Sequence, residues 1–266
     1  LPSARNIMNA WSAVRYNRYT VDVLNGADVT DDEVSESEDE VLPFDKEIEV
    51  RNLSFRFEGA AADTLHNQSL TIRKGEKVGI NGESGVGKTT MLNLLLGLYE
   101  PTEGAIYVDG RVLDKGLCRS WQNRIGYVSQ STFLADSTIL ANIAFGCDES
   151  AVDMARIEAV VEAASLSEFV ASLPKGLNTR IGECGALLSG GQRQRIGIAR
   201  ALYKQADVLF FDEATSSLDS ATEQSINRAI EHLSSSNKNL TIVVVAHRES
   251  SLGYCDRIIT LEKNDK

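Results

Sequence analysis

The sequence has little positive charge for its length. Among 266 residues, 27 Lys and Arg stand against 38 Asp and Glu, which gives a formal net charge of −11. A protein whose main ligand is nucleic acid needs a surplus of Lys and Arg to neutralise phosphates, so this balance argues against nucleic acid as a partner. It does not exclude a nucleotide, because a nucleotide requires only one local electropositive pocket.

Clustered cysteines and long hydrophobic runs are also lacking. The four cysteines are widely spaced, without a Cys-X-X-Cys pair or a Cys/His cluster, so we expect reduced thiols and no cysteine-bound metal. The longest apolar runs, such as Val208–Phe211 and Ile242–Ala246, have the length of buried strands rather than of a membrane span. Because the sequence begins with Leu1 and not Met, we expect it to be part of a longer protein, so the lack of a membrane span here says nothing about that parent protein.

Three regions differ in composition. Residues 1–24 carry Ile7, Trp11 and Val14 at helical spacing, which predicts a helix with an apolar stripe. Residues 25–45 are strongly acidic and contain few large apolar side chains, so we expect a solvated linker there or, alternatively, a docking segment for a basic surface. Residues 46–266 have the pattern of a globular domain.

Strand and helix signals alternate within the globular region. The apolar strand Lys77–Ile80 precedes a glycine-rich turn and an apolar helical stretch over Thr90–Leu98. Strands over Val208–Phe211 and Leu240–Ala246 flank a helix around Ala221–Leu233. Such alternation is typical of an α/β domain with a parallel sheet.

A phosphate-binding loop lies between the first of these strands and its helix. Residues 82–89 fit G-x-x-x-x-G-K-[ST], whose glycines allow successive backbone N–H groups to point at phosphate oxygens. We expect Lys88 to reach the β- and γ-phosphates, Thr89 to ligate Mg²⁺ and Thr90 to add a phosphate contact. The residues of this predicted ATP site are Gly82, Ser84, Gly85, Val86, Gly87, Lys88, Thr89 and Thr90.

Two acids end the strand Val208–Phe211. A buried parallel strand places its last side chains in the ligand crevice at the carboxyl edge of the sheet. Asp212 therefore suits the Mg²⁺ shell, and Glu213 is placed to polarise a water for attack on the γ-phosphate.

The segment Leu188–Gln192 (LSGGQ) resembles the signature sequence of the ATP-binding cassette (ABC) family, and it precedes Asp212 by the spacing of that family. A helix would begin within this segment, and its first residues would form a second anion site: Ser189, Gly190, Gly191 and Gln192. The resemblance implies that the phosphate loop of one subunit and the signature of another enclose the same ATP. Two ATP molecules would then hold a head-to-tail dimer, which could be a homodimer or a heterodimer.

Further family landmarks follow in order. Phe57 resembles the aromatic residue that stacks on adenine, where most members have Tyr. Gln130 looks like the glutamine that meets Mg²⁺ and the attacking water, and whose loop contacts the membrane domain. Ser216–Asp219 resembles the loop that crosses the dimer interface, and His247 resembles the switch histidine at the γ-phosphate. The expected catalytic residues are Glu213, His247, Gln130 and Lys88, and the expected metal ligands are Thr89, Gln130 and Asp212.

The resemblance covers about residues 47–262 and is of the exporter type. Residues 182–185 look like the segment with which exporters contact intracellular loops of the membrane domain. Residues 1–24 resemble the end of the last transmembrane helix in exporters that carry the membrane and ATPase parts on one chain. Their sequence is similar to that of the lipid- and glycan-flipping members. The family implies a P-loop NTPase core with a mostly parallel sheet, an antiparallel β subdomain near the N-terminus and a helical signature subdomain.

We therefore predict an ATP-hydrolysing motor domain at the cytoplasmic face of a plasma or inner membrane, with ATP, Mg²⁺, a second nucleotide-binding domain and a membrane domain as partners. A soluble ABC-type ATPase is the alternative, although neither a second cassette nor a coiled-coil insertion is visible. A module that binds ATP without turnover is a third reading, against which Glu213 speaks.

Overall fold

The computed structural model describes residues 41–215, 218–246 and 252–261. They belong to one compact unit that begins at Val41. None of the described helices is both long enough and apolar enough to cross a bilayer.

An antiparallel sheet forms the first layer. Its four strands lie in the order β2-β1-β4-β5, so that β1 pairs with both β2 and β4, and β4 pairs with β5. The strands are β1 (Glu47–Phe55), β2 (Leu65–Arg73), β4 (Glu103–Val108) and β5 (Arg111–Val112). This is the antiparallel β subdomain that the sequence predicts near the N-terminus.

A parallel sheet forms the centre of the domain. Its five strands lie in the order β6-β7-β8-β3-β9, and every neighbouring pair is parallel. The strands are β3 (Lys77–Asn81), β6 (Ile125–Val128), β7 (Val208–Asp212), β8 (Thr241–Val245) and β9 (Arg257–Thr260). The parallel sheet of the prediction is confirmed.

Helices connect the strands, and most lie between β6 and β7. The described α-helices are α1 (Lys88–Leu95), α2 (Lys115–Asn123), α3 (Ile139–Ile143), α4 (Met154–Ala163), α5 (Ser167–Ser172), α6 (Gly190–Tyr203) and α7 (Ser220–Ser236). Short 3-10 turns cover Glu149–Ala151, Gly176–Asn178 and Glu183–Gly185. The α3–α6 segment is the helical subdomain, and its last helix begins within the signature.

Apolar residues of the central strands serve two cores, because successive side chains of a strand point to opposite faces. On β7, Leu209 and Phe211 pack with the helical subdomain, whereas Val208 and Phe210 pack with α1 and the antiparallel sheet. A parallel sheet that is covered on both faces requires such uninterrupted apolar strands.

The folded unit begins slightly earlier than composition suggests. Composition places residues 41–45 in the acidic linker, but Leu42 and Phe44 are buried. The Phe44 ring packs edge-on against Trp121, and the backbone N–H of Leu42 donates to Ser120 Oγ. These contacts make Leu42 and Phe44 part of the folded domain.

Candidate active site

The phosphate loop connects β3 to α1, as its pattern requires. Gly82, Gly85 and Gly87 all have positive φ angles, of 152°, 80° and 99°. Gly87 is the N-cap of α1, and its carbonyl accepts the N–H of Met91 at 2.8 Å. The left-handed backbone at Gly87 therefore turns the chain directly into the helix whose N-terminal end faces the loop.

A side-chain hydrogen bond holds the start of the loop. Asn81 Oδ1 accepts the N–H of Gly82 at 2.8 Å. Val86 and Thr90 are buried, whereas Ser84 and Gly85 are exposed at the crest of the loop. The predicted phosphate-binding residues thus form one continuous turn, with its crest open to solvent.

Lys88 holds its ammonium over this turn. Its Nζ donates to the carbonyl oxygens of Gly82 at 2.8 Å and Glu83 at 2.9 Å. Burial lowers the pKa of Lys88, and the nearby charges of Glu213 and Asp212 act in the opposite direction. The lysine and both acids are thus close enough to interact electrostatically.

The two acids lie at the carboxyl end of β7. Asp212 is the last residue of the strand and is 4% exposed. Glu213 follows with a φ of 49°, and its backbone N–H donates to Val245 O of the adjacent strand β8 at 2.9 Å. This left-handed residue turns the glutamate away from the strand direction at the edge where a ligand crevice is expected.

Hydrogen bonds bring the remaining polar residues to the same edge. Thr89 Oγ1 donates to Asp212 Oδ1 at 3.4 Å, and Gln130 Nε2 donates to Glu213 Oε2 at 3.0 Å. Gln130 is positioned by β6, which pairs with β7 along its whole length. Lys88, Thr89, Gln130, Asp212 and Glu213 therefore form one site.

The oxygen donors of this site could hold a divalent cation. A hydroxyl, a carboxylate and an amide carbonyl are hard ligands of the kind that Mg²⁺ prefers, usually together with substrate phosphates. The described residues contain no group of three or more His, Cys, Asp or Glu arranged around a metal. The oxygen donors of Thr89, Gln130 and Asp212 suit a cation that nucleotide phosphates also bind.

Phe57 lies just beyond β1 and is 44% exposed. The strand pairs Phe55 with Leu65, and an added Cβ at Gly87 would lie 2.8 Å from Leu65 Cδ2. The aromatic residue that was expected to stack on a base is therefore connected through neighbouring contacts to the phosphate loop.

The signature residues open α6. Ser189 is the N-cap, its Oγ accepts the N–H of Gln192 at 3.2 Å, and Gln192 Oε1 accepts the N–H of Ser189 at 2.8 Å. This reciprocal capping box leaves Ser189 and Gly190 exposed at the positive end of a 14-residue helix. Gly191 lies beside Leu218, which belongs to the predicted interface loop.

Three expected positions lie outside the described residues. They are His247, Ser216 and Ser217. The described end of the interface loop, Asp219, caps α7 by accepting the N–H of Thr222 at 3.0 Å.

Sequence reasoning missed a polar network behind Gln130. Asn142 on α3 is fully buried, and its amide donates to the carbonyls of Ala135 and Thr138 at 3.0 Å. Arg200 on α6 donates to Asn142 O at 2.7 Å and to Phe133 O at 2.9 Å. The network ties the segment after Gln130 to the signature helix, and a buried Asn among the apolar residues of α3 was the available signal.

A groove of about 790 Å³ lies beside this network. It is lined by the end of α1, β6 and the helical subdomain, including Leu98, Tyr127, Phe145, Arg156 and Arg200. Leu98 and Phe145 are exposed, and burial together with the charge of Asp212 raises the pKa of Tyr127 to about 12. Tyr127 therefore lines the groove and lies close enough to Asp212 to interact with its charge.

Comparisons with known proteins agree with this geometry. A sequence profile described as "ABC transporter" matches residues 65–216. A protein called ATP-dependent lipid A-core flippase from Cupriavidus metallidurans is 42% identical over 236 residues, which cover 87% of this chain and 39% of that protein. A protein of the same name from Syntrophus aciditrophicus is 43% identical over 247 residues, covering 91% of this chain and 39% of its own length.

A solved structure is also similar. It is described as a bacterial Atm1-family ABC exporter with ATP bound, and it matches with a TM-score of 0.77 and 35% identity. The match covers 84% of this chain and 38% of that exporter. This chain thus spans about two fifths of the length of the proteins that it resembles.

Proposed function

Because this chain belongs to the ABC transporter family, we propose that it is the ATP-hydrolysing nucleotide-binding domain of an exporter. The observation that carries the proposal is the convergence of Lys88, Thr89, Gln130, Asp212 and Glu213 at one edge of the parallel sheet. A phosphate loop alone supports nucleotide binding, whereas a carboxylate that is held by an amide beside the loop also supports hydrolysis.

The chemistry is in-line attack of water on the γ-phosphate of ATP. Glu213 acts as the general base: it accepts a hydrogen bond from the water, orients its oxygen and takes up its proton as the water attacks. The amide of Gln130 holds the Glu213 carboxylate in place. The bond from water oxygen to phosphorus forms as the bond between phosphorus and the β–γ bridging oxygen breaks, giving ADP and phosphate. Lys88 and the loop N–H groups bind the phosphate oxygens and stabilise their charge. Mg²⁺, held by Thr89, Asp212 and Gln130, would supply further charge neutralisation.

We propose that a second nucleotide-binding domain completes each site. The start of α6 is exposed and positively polarised, so it is suited to bind phosphate. The proposed reaction at Lys88 and Glu213 of the same chain does not use it, which supports a role at the ATP of a second copy. Ser189, Gly190, Gly191 and Gln192 of one copy would meet the ATP that is bound to the phosphate loop of the other. His247 of the loop-bearing copy would contact the γ-phosphate, a role that stays a prediction.

A membrane domain is the proposed third partner. The groove beside Tyr127 and Phe145 supports this assignment, because exposed apolar residues in a concave surface suit a protein ligand. The relatives called lipid A-core flippases favour an amphiphilic, lipid-like substrate for the parent protein. Residues 1–24 stay a predicted continuation of the last membrane helix, which would place this domain at the cytoplasmic face of the membrane.

The test is phosphate release by the 266-residue chain with Mg·ATP, measured for wild type, Glu213→Gln and Glu158→Gln. A general base contributes about 100- to 10,000-fold, so we expect Glu213→Gln to lose turnover by that factor. Glu158 is an exposed glutamate on α4 and serves as the matched control, which should retain wild-type turnover. Equal rates for Glu213→Gln and wild type would contradict the assigned role.

A further inference from the structure

Three aromatic rings form a cluster at the predicted base-binding position. Phe55 and Tyr99 are nearly parallel, with ring centroids 5.3 Å apart and an interplanar angle of 9°. Phe57 lies almost at a right angle to both, at 4.9 Å and 86° from Phe55 and at 5.8 Å and 83° from Tyr99. Such edge-to-face pairs are favourable because the positive edge of one ring meets the negative face of the other.

The cluster restrains an otherwise exposed side chain. Phe57 follows the end of β1 and lies in the connection to β2, so the sheet does not fix its ring. Its neighbours differ in burial, since Phe55 is buried whereas Tyr99 is 38% exposed. Without the Tyr99 ring, Phe57 would keep one aromatic contact and gain rotamer freedom, which binding of a base would have to remove again.

Tyr99 also has a fixed relation to the phosphate loop. Helix α1 starts at Lys88 and ends at Leu95, and the turn that follows is closed by Leu98 N–H donating to Asn93 O at 2.9 Å. Tyr99 is the next residue. Just beyond it, Thr102 N–H donates to Ser54 O at 2.9 Å, and Thr102 Oγ1 accepts the N–H of Arg56 at 3.0 Å. The segment that carries Tyr99 is thus tied both to the phosphate helix and to the residues that flank Phe55.

We propose that Tyr99 is a positioning residue that fixes the ring of Phe57 relative to the phosphate loop and thereby increases affinity for the base of the nucleotide. The inference rests on the proposed function, because it assumes that a nucleotide binds with its phosphates at Lys88 and its base on Phe57. It assigns Tyr99 no contact with the nucleotide. Its effect is therefore expected on binding of the base and not on binding of the phosphates.

Calorimetric titration of the 266-residue chain with Mg·ATP and with magnesium tripolyphosphate separates these two contributions. The energy of one edge-to-face pair sets the upper limit of this positioning effect, which corresponds to about two- to tenfold in affinity. We expect Tyr99→Leu and Tyr99→Met to weaken Mg·ATP by that factor while tripolyphosphate affinity stays within about twofold. Tyr99→Phe keeps the ring and should retain wild-type affinity for Mg·ATP. The weaker binding of Mg·ATP by Tyr99→Leu should raise KM without lowering kcat.

A double-mutant cycle tests whether Tyr99 acts through Phe57. In a Phe57→Leu background, Tyr99→Leu should change Mg·ATP affinity by less than about twofold, because the positioned ring is already absent. An additive loss in that background, an equal loss for tripolyphosphate, or unchanged Mg·ATP affinity in both Tyr99→Leu and Tyr99→Met would overturn the inference. A wild-type chain that binds neither ligand would instead contradict the proposed function.

Discussion

Replacement of Gly87 by alanine tests the geometry of the phosphate loop. Gly87 and Gly85 both have left-handed backbones, with φ of 99° and 80°, but their surroundings differ. A Cβ at Gly87 would lie 2.8 Å from Leu65 Cδ2 and 3.1 Å from Thr64 O, whereas a Cβ at Gly85 would meet nothing within 4 Å. Gly85→Ala is therefore a matched control that has the backbone strain without the overlap.

The expected magnitudes follow from these two contributions. A left-handed backbone costs a residue with a Cβ about 1–2 kcal/mol, and this applies to both variants. Overlap in a packed region costs a further ~1–3 kcal/mol, and this applies to Gly87→Ala alone. The smaller entropy of the unfolded alanine chain affects both variants equally and cancels in the comparison. We expect Gly87→Ala to lower the free energy of unfolding more than Gly85→Ala does, by about 1–3 kcal/mol.

The assay is urea unfolding without nucleotide, followed by circular dichroism and extrapolated to water. Adding Leu65→Ala to Gly87→Ala removes the overlapping methyl group, so the double variant should lose less stability than the sum of the two single variants. If Gly85→Ala and Gly87→Ala lower the free energy of unfolding by amounts that agree within about 0.5 kcal/mol, the packing argument is refuted. Strictly additive losses of stability in the Gly87→Ala, Leu65→Ala double variant would also refute it.

Two further predictions concern the support of the site. Trp121 is buried and donates its Nε1–H to Leu95 O at 2.8 Å, so Trp121→Phe should lower the free energy of unfolding by about 2–4 kcal/mol in urea titrations, through a cavity and an unpaired carbonyl. Burial acts to raise the pKa of Glu76, but hydrogen bonds from the Arg257 side chain and the Arg73 N–H outweigh it and hold that pKa below its usual value. The stability from Glu76 is therefore present above the unfolded pKa and is lost as pH falls through the folded pKa. Glu76→Gln should lose less stability than wild type between about pH 6 and pH 3. Identical profiles of stability against pH for wild type and Glu76→Gln would contradict the Glu76 prediction. A Trp121→Phe variant as stable as wild type would contradict the Trp121 prediction.

Local sequence signals predicted the central elements well. Val208–Phe211 and Leu240–Ala246 correspond to β7 (Val208–Asp212) and β8 (Thr241–Val245), because strands that are buried on both faces must be continuously apolar. The phosphate helix was expected over Thr90–Leu98 but covers Lys88–Leu95. It begins earlier because Gly87 caps it, and it ends earlier because the chain turns at Gly97, whose φ is 68°.

Irregular backbone was harder to predict. Alternation of apolar and polar residues over Ile48–Arg51 and again over Leu53–Phe57 indicates two strands, but one strand, β1, covers residues 47–55. Asn52 has a φ of 47°, and the pairing register with β2 shifts between Val50 and Leu53. The alternation on either side of such an irregularity is out of phase, so periodicity alone separates one strand into two.

Contacts between distant residues were beyond local signals. The strand end predicted Glu213 and the family resemblance supplied Gln130, but their 3.0 Å contact depends on β6 lying beside β7 across the intervening helical subdomain. No pattern in the sequence pairs Tyr99 with Phe57, because aromatic residues near an element end are common and their mutual angles depend on tertiary packing. The network of Asn142 and Arg200 was missed for the same reason.

The central claim is that each ATP is hydrolysed between the phosphate loop of one copy and the signature of another. Mixing two separately inactive chains, Lys88→Ala and Ser189→Arg, tests it most directly by phosphate release with Mg·ATP. A mixed dimer would contain one site with both lesions and one intact site, so a 1:1 mixture with random exchange should regain about a quarter of wild-type turnover. A mixture that remains as inactive as either chain alone, while wild-type chains hydrolyse ATP under the same conditions, would contradict the claim.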